Sequence, residues 1–320
     1  MLHTIEKIIF DQKISFEDKV FEILKFQFQH CHIYKEYVNI VGSDIGKVNR
    51  IEDIPFLPIS FFKTHTVLIE GMKASIVFGS SSTTGALRSY HHVADKSLFN
   101  QTALLGWQAL GATDAVIIAL LPNYLERQDS SLIYMVSQWM QASPHPLNGY
   151  FMYADNVLIY RIQECIYLQL PIVLIGVSYA LIDLCEIFCS DYSNITIIET
   201  GGMKGRKEEI TRQQLHLLIV KSFPNSKVMS EYGMTELLSQ AYFQPDREFV
   251  PIATMKVLIR EINDPFTYTD AIGCINVIDI ANVYSCSFIE TEDLGRMKDR
   301  IAFEVLGRLD HSDMRGCNLL

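Results

Sequence analysis

The chain has 320 residues, 49% of them hydrophobic and 20% charged, a globular composition long enough for one large domain or two medium ones. A formal net charge of −10, with no Lys/Arg cluster, argues against a nucleic-acid-binding surface. Seven cysteines, an odd number without CxxC spacing, argue against a disulfide framework and for a reduced, cytoplasmic protein. The N-terminal "MLHTIEKIIFDQKISFEDKV" lacks an apolar signal core and a small-residue cleavage site. Its first forty residues carry apolar side chains at helical spacing (Ile5, Ile8, Ile9; Val20, Phe21, Leu24, Phe28), which predicts two helices. "DIPFLPISFFKTHTVLI" places two prolines among bulky apolar residues and reads as a rigid extended passage.

Short apolar runs then alternate with amphipathic ones. "SIVFG" leads into a hydroxyl-rich loop, "SLFNQTALLGWQALG" is a helix ending at Gly111, and "DAVIIALLPN" is a buried strand. "SSLIYMVSQWMQA" is a helix with a serine cap, "LPIVLIGVS" a strand, and "YALIDLCEIFCSDY" a helix. Pro171, Asp183 and Glu186 interrupt that most apolar window, so no membrane span is expected there. Cys185 and Cys189, one helical turn apart, read as two small core residues. "ITIIETGG" is a strand, "KEEITRQQLHLLIVKSF" a helix and "SKVMSEYG" a further strand. Strands alternating with helices predict an α/β core with a largely parallel sheet. After about residue 245, "MKVLIREI", "GCINVIDI" and "CSFIET" follow one another without long helices, which predicts a β-rich, antiparallel or barrel-like subdomain. The expected division is 1–245 for the α/β core, 246–306 for the β-rich subdomain and 307–320 for a terminal tail.

Ligands of open α/β sheets bind beyond the carboxyl ends of the strands. Three candidate loops fall there: Ser80–Gly85, Gly201-Gly202 and "EYGMTE". The first is no Walker A loop, because five residues separate Gly79 from Gly85 and no lysine follows. It still offers the hydroxyls of Ser80, Ser81, Ser82, Thr83 and Thr84, backbone amides, and Arg88 as a fixed cation, a set suited to polyphosphate or to a plain polar turn. In "SEYGMTE", Tyr232 can stack on a purine, Thr235 can donate to a phosphate oxygen and Glu236 can hold Mg²⁺. His91 and His92, just past the first loop, read as strand or loop residues.

On these residues the sequence resembles the adenylate-forming (ANL) superfamily, whose members join carboxylates to AMP. "SSSTTGALR" resembles its phosphate loop, with Arg88 where lysine is usual and Ser82 where glycine is usual. "TGGMKGR" resembles the loop along the adenosine, and "YGMTE", Tyr232-Gly233-Met234-Thr235-Glu236, matches the nucleotide motif without substitution. "TEDLGRM" resembles the motif whose aspartate, here Asp293, binds the ribose hydroxyls. "GRLDHSDMRGCNLL" resembles the hinge motif, with Arg308 toward ribose or phosphate and Asp310 as pivot. "IPFLPISFFK", "LPNYLERQDSSLIYM" and "MRGCNLL" further resemble the acyl-protein synthetase family, named for the synthetase component of the bacterial luminescence fatty acid reductase and related to phenylacetate–CoA ligases.

The resemblance implies the ANL large N-terminal domain, with the small C-terminal domain missing together with its usual lysine. Arg88 or another cation would then supply that charge. It implies ATP and Mg²⁺ as cofactors, with Glu236 as metal ligand. A fatty or other carboxylic acid would be activated as acyl-AMP and passed to a thiol: Cys317 in cis, an acyl-acceptor or carrier protein, or coenzyme A. Arg315, two residues from Cys317, would favour the thiolate. An acyl- or aryl-CoA ligase uses the same chemistry. An alternative of another class is a non-catalytic subunit that binds acyl groups or nucleotide and docks a carrier or reductase partner.

Overall fold

The structure, a computed structural model, describes residues 2–81, 87–111, 114–122, 127–201, 207–208, 210–244 and 248–309. Two compact units divide the chain: Phe78–Arg88 with Ser97–Pro245, and Met1–Val77 with Ser89–Lys96 and Asp246–Leu320.

In the unit built mainly from Ser97–Pro245, strands lie in the order Gly149–Phe151, Val116–Leu120, Ile172–Val177, Ile195–Thr200, Lys227–Tyr232, Ala241–Gln244. The first five run parallel and the sixth antiparallel. Parallel neighbours need crossover connections, and helices Ser131–Ala142, Asn156–Tyr167, Ser178–Ile187 and Arg212–Ser222 supply them. Val116–Leu120 and Ile172–Val177 are buried at every residue, as expected of a sheet covered on both faces. Helix starts follow local chemistry. The Ser130 hydroxyl accepts from Ile133 N at 3.2 Å, Asp155 caps Asn156–Tyr167, and Thr211 with Gln214 forms a capping box. Chain order in the sheet reverses between Val116–Leu120 and Ile172–Val177, which makes a switch point at their carboxyl ends.

The other unit carries an antiparallel sheet in the order Met255–Arg260, Gly273–Asp279, Phe288–Met297, Phe303–Arg308, Glu248–Pro251. Leu57–Pro58 adds parallel to Phe288–Met297. The antiparallel run after residue 245 therefore follows its alternating pattern. Residues 2–40 form three helices, Leu2–Ile9, Phe16–His30 and His32–Ile40, where two were expected. Cys31 is extended (φ −99°, ψ 101°) and interrupts an otherwise continuous apolar period. Gln27, fully buried in the second helix, donates to the carbonyls of Asn282 and Val283 and accepts from Ser287 N. That side chain satisfies a chain reversal more than 250 residues away, and no local pattern announces it. The proline-rich passage is only partly extended, since Phe61–Thr64 forms a helical turn.

Cys185 and Cys189 are not a core pair. Their helix stops at Ile187, Phe188 is extended, and Cys189 is exposed while Cys185 is half-buried. Among the described residues, no helix is long and apolar enough to cross a membrane.

Candidate active site

The parallel strands bring polar residues together at their carboxyl ends. Ile195–Thr200 ends in Glu199 and Thr200, and the adjacent Lys227–Tyr232 ends in Glu231 and Tyr232. Thr200 donates its hydroxyl to Glu231 Oε2 at 2.5 Å, which ties the two strand ends. Ser178, at the start of its helix, donates to Glu199 Oε1 (2.8 Å) and to the carbonyl of Gly201 (3.0 Å). Gly201 turns away from the strand with φ 72°, a conformation that glycine adopts without steric cost. Glu231 Oε1 fills the space where a Cβ on Gly233 would stand, so a larger residue there would have to displace the Glu231 carboxylate.

Tyr232–Glu236 therefore leaves the sheet beside Gly201. Tyr232 is buried, Gly233 exposed, Met234 and Thr235 half-buried. Glu236 is 5% exposed in a turn closed by Leu237 N donating to Met234 O. No helix follows this turn, so Thr235 is not a helix cap and Glu236 is not a solvated first-turn acid. Ser80 is half-buried, Ser81 exposed, and Arg88 donates from Nε to Ser80 O at 2.9 Å. Ser82, Thr83, Thr84, Gly85 and Gly202 lie outside the described residues, as do Asp310, Arg315 and Cys317.

In the other unit, Asp293 and Arg308 are cross-strand partners, and Arg308 Nε donates to Asp293 Oδ1 at 3.2 Å. The aspartate is buried and the arginine is exposed. Buried His91 bonds Asn282 Oδ1 through Nε2 at 2.9 Å and meets Phe62 edge-on, a packing role.

Glu199, Glu231, Arg127 and Asp129 escaped the sequence reading. Glutamates near strand ends look like ordinary solvent-facing alternation until the parallel register sets Glu199 opposite Ser230. Burial pushes the Glu231 carboxyl up to about 7; the Thr200 hydroxyl opposes the rise and neighbouring Glu199 adds to it. Burial likewise raises Glu199, against hydrogen bonds from Ser230 and Ser178. The folded protein thus keeps a proton on Glu231 that the unfolded chain releases at ordinary carboxylate pH, so stability falls as pH rises toward neutrality. Glu231→Gln keeps an acceptor for Thr200 without the charge. Its stability relative to wild type should rise by about 2–3 kcal/mol between about pH 5 and about pH 8, read from urea unfolding at each pH. A pH-independent difference would contradict a proton held on Glu231 in the folded protein.

No protein-family model and no curated protein sequence matches the chain. Solved structures do. A 2-hydroxyisobutyryl-CoA ligase, in an open conformation with 2-HIB-AMP and CoA, superposes with a TM-score of 0.68 at 11% identity, covering 91% of this chain and 74% of that one. O-succinylbenzoate coenzyme A synthetase from Bacillus subtilis, in complex with AMP, gives 0.52 at 18% identity, covering 76% and 64%. The amide bond synthetase McbA from Marinactinospora thermotolerans gives 0.51 at 16% identity, covering 73% and 49%. The chain thus spans less than two thirds of the latter two proteins. It has the mixed α/β fold of the adenylate-forming (ANL) ligases.

Proposed function

We propose that the protein activates a carboxylic acid, a fatty acid by its sequence resemblance, as acyl-AMP at the expense of ATP and passes the acyl group to a thiol. One observation carries this reading: Gly201 and the Tyr232–Glu236 turn leave adjacent parallel strands side by side, joined by the Thr200–Glu231 hydrogen bond. An adenosine beside Gly201 and Tyr232 would place its α-phosphate within reach of the Thr235 hydroxyl. The acid's carboxylate oxygen attacks the α-phosphorus, and the bond to pyrophosphate breaks with its electron pair leaving on pyrophosphate. A thiolate then attacks the acyl carbonyl and AMP departs. Asp293 and Arg308 are proposed ribose and phosphate contacts, and Asp310 the hinge pivot, on the strength of their motifs.

Glu236 fits Mg²⁺, since it is a hard carboxylate donor that follows the Thr235 hydroxyl in a turn with a half-exposed lip. Among the described residues no cluster of three or more His, Cys, Asp or Glu forms a metal site. An ion at Glu236 would be held by that one carboxylate together with nucleotide phosphates, whose charge it would neutralise. The test is to incubate the protein with a panel of carboxylic acids and Mg·ATP, then seek acyl-AMP by mass spectrometry. Nucleotide binding without any acyl-AMP would favour the non-catalytic subunit.

For the acceptor, the acyl-protein synthetase resemblance favours Cys317. Burial raises the thiols of Cys31, Cys165, Cys185, Cys274 and Cys286 and keeps them protonated, so they are poor nucleophiles. Exposed Cys189 is the competitor among the described cysteines. Hydroxylamine-labile acylation of the intact chain should vanish in Cys317→Ser, persist in Cys189→Ser, and leave acyl-AMP formation unchanged in both. Acylation surviving in Cys317→Ser would move the acceptor. Transfer to added coenzyme A with no protein adduct would support the CoA-ligase reading, which the CoA held by the 2-hydroxyisobutyryl-CoA ligase favours.

A further inference from the structure

We propose that Arg127 is a second cation for the polyphosphate end of the nucleotide, held in place by Asp129; this rests on the nucleotide reading above. The segment Arg127–Ser130 follows the strand Val116–Leu120 and precedes the helix Ser131–Ala142, so it leaves the sheet at the switch point, where ligands of such sheets bind.

Its contacts go to the base of the hydroxyl-rich loop. Gly79 N donates to Asp129 O at 2.9 Å, Arg127 Nη2 donates to Gly79 O, and Arg88 Nε donates to Ser80 O. A Cβ on Gly79 would meet the side-chain ends of Arg88 and Asp129, so a larger residue there would push this charged pair aside. The Asp129 carboxylate is shared. Oδ2 pairs with Arg88, while Oδ1 accepts from Arg127 Nε at 3.1 Å and Nη2 at 3.0 Å. Although burial opposes it, the two guanidiniums hold Asp129 below the usual carboxylate range.

Two arginines and one ionised aspartate leave a net charge of +1 against the first residues of a loop rich in hydroxyls. All three side chains are between 22% and 32% exposed, so a ligand can reach them while solvent screens them less than on an open surface. The most highly charged part of the proposed ligand is its pyrophosphoryl end, and planar guanidinium is the side chain suited to bidentate phosphate contacts. In chain order, Arg127 stands 39 residues past Arg88 (127 − 88), so only the fold brings the two to one carboxylate.

A clamp that merely braces the loop would need only a donor to Gly79 O, whereas a phosphate site needs the charge. The experiment measures Mg·ATP, pyrophosphate and AMP binding by calorimetry in wild type, Arg127→Ala, Arg127→Gln and Arg127→Lys. Removing the charge should weaken ATP and pyrophosphate about tenfold or more in both Ala and Gln variants, while AMP affinity stays within about threefold. Lysine should restore part of the loss. Retained AMP affinity also reports that each variant is folded. Wild-type affinity for ATP in Arg127→Gln, or equal weakening of ATP and AMP, would reduce Arg127 to a structural clamp and overturn the proposal alone. A wild-type protein that binds none of the three ligands would overturn the nucleotide reading and this proposal with it.

Discussion

Glu236→Gln should lower acid-dependent pyrophosphate release by about 10²–10³-fold, the scale on which loss of a charge-stabilising group at a transferring centre is felt. The exchange conserves shape and removes the negative charge that would hold Mg²⁺. The amide keeps the side chain's shape at this 5% exposed position, so urea unfolding of the variant is read beside its activity, and a retained midpoint is the expected result. The two readouts separate chemistry from folding. A variant that turns over at the wild-type rate would remove Glu236 from the metal site. A loss of activity that tracks a loss of stability would make it a structural residue.

Trp139→Ala should destabilise the parallel-sheet unit by about 3–5 kcal/mol, the range for deleting a buried indole. Trp139 is fully buried in Ser131–Ala142, its ring lies 5.6 Å from that of Trp107, and Nε1 donates to Ala103 O at 2.9 Å. Tyr242 approaches its other side at 6.5 Å. Alanine would therefore leave a cavity at the junction of two helices and the antiparallel strand Ala241–Gln244. Trp139→Phe keeps an aromatic ring but loses the donor, and should cost roughly 1–2 kcal/mol. The measurement is urea unfolding at unchanged m-value; a loss below about 1 kcal/mol for the alanine variant would mean that neighbouring side chains collapse into the space. The same helix begins just after Arg127–Asp129, so packing around Trp139 also supports the loop that carries those charges.

What could be read in advance was local. Val116–Leu120 and Ile172–Val177 are unbroken apolar runs between turn residues, and such runs belong to parallel strands buried on both faces. Ser130 announced its helix because an N-cap acts within three residues. The Tyr232–Glu236 motif is likewise one short turn. The three-residue edge strand Gly149–Phe151 is too short for any period to register. The helix break at Cys31 has no glycine or proline to mark it, and helical spacing of Cys185 and Cys189 ran past the true end at Ile187. The charged layer was illegible for a different reason. Thr200 reaches Glu231 across 31 residues and Arg88 reaches Asp129 across 41, pairings that exist only once the parallel strands are in register.

The most direct measurement is exchange of labelled pyrophosphate into ATP, with Mg²⁺ and a panel of carboxylic acids of graded chain length. Exchange requires a reversible attack of the acid on the α-phosphorus, so it reports acyl-AMP formation whatever thiol accepts the acyl group later. Acid-dependent exchange that Glu236→Gln lowers by about 10²–10³-fold is the expected result. No exchange with any acid, from a folded protein that binds Mg·ATP, would contradict the assignment of adenylate-forming activity.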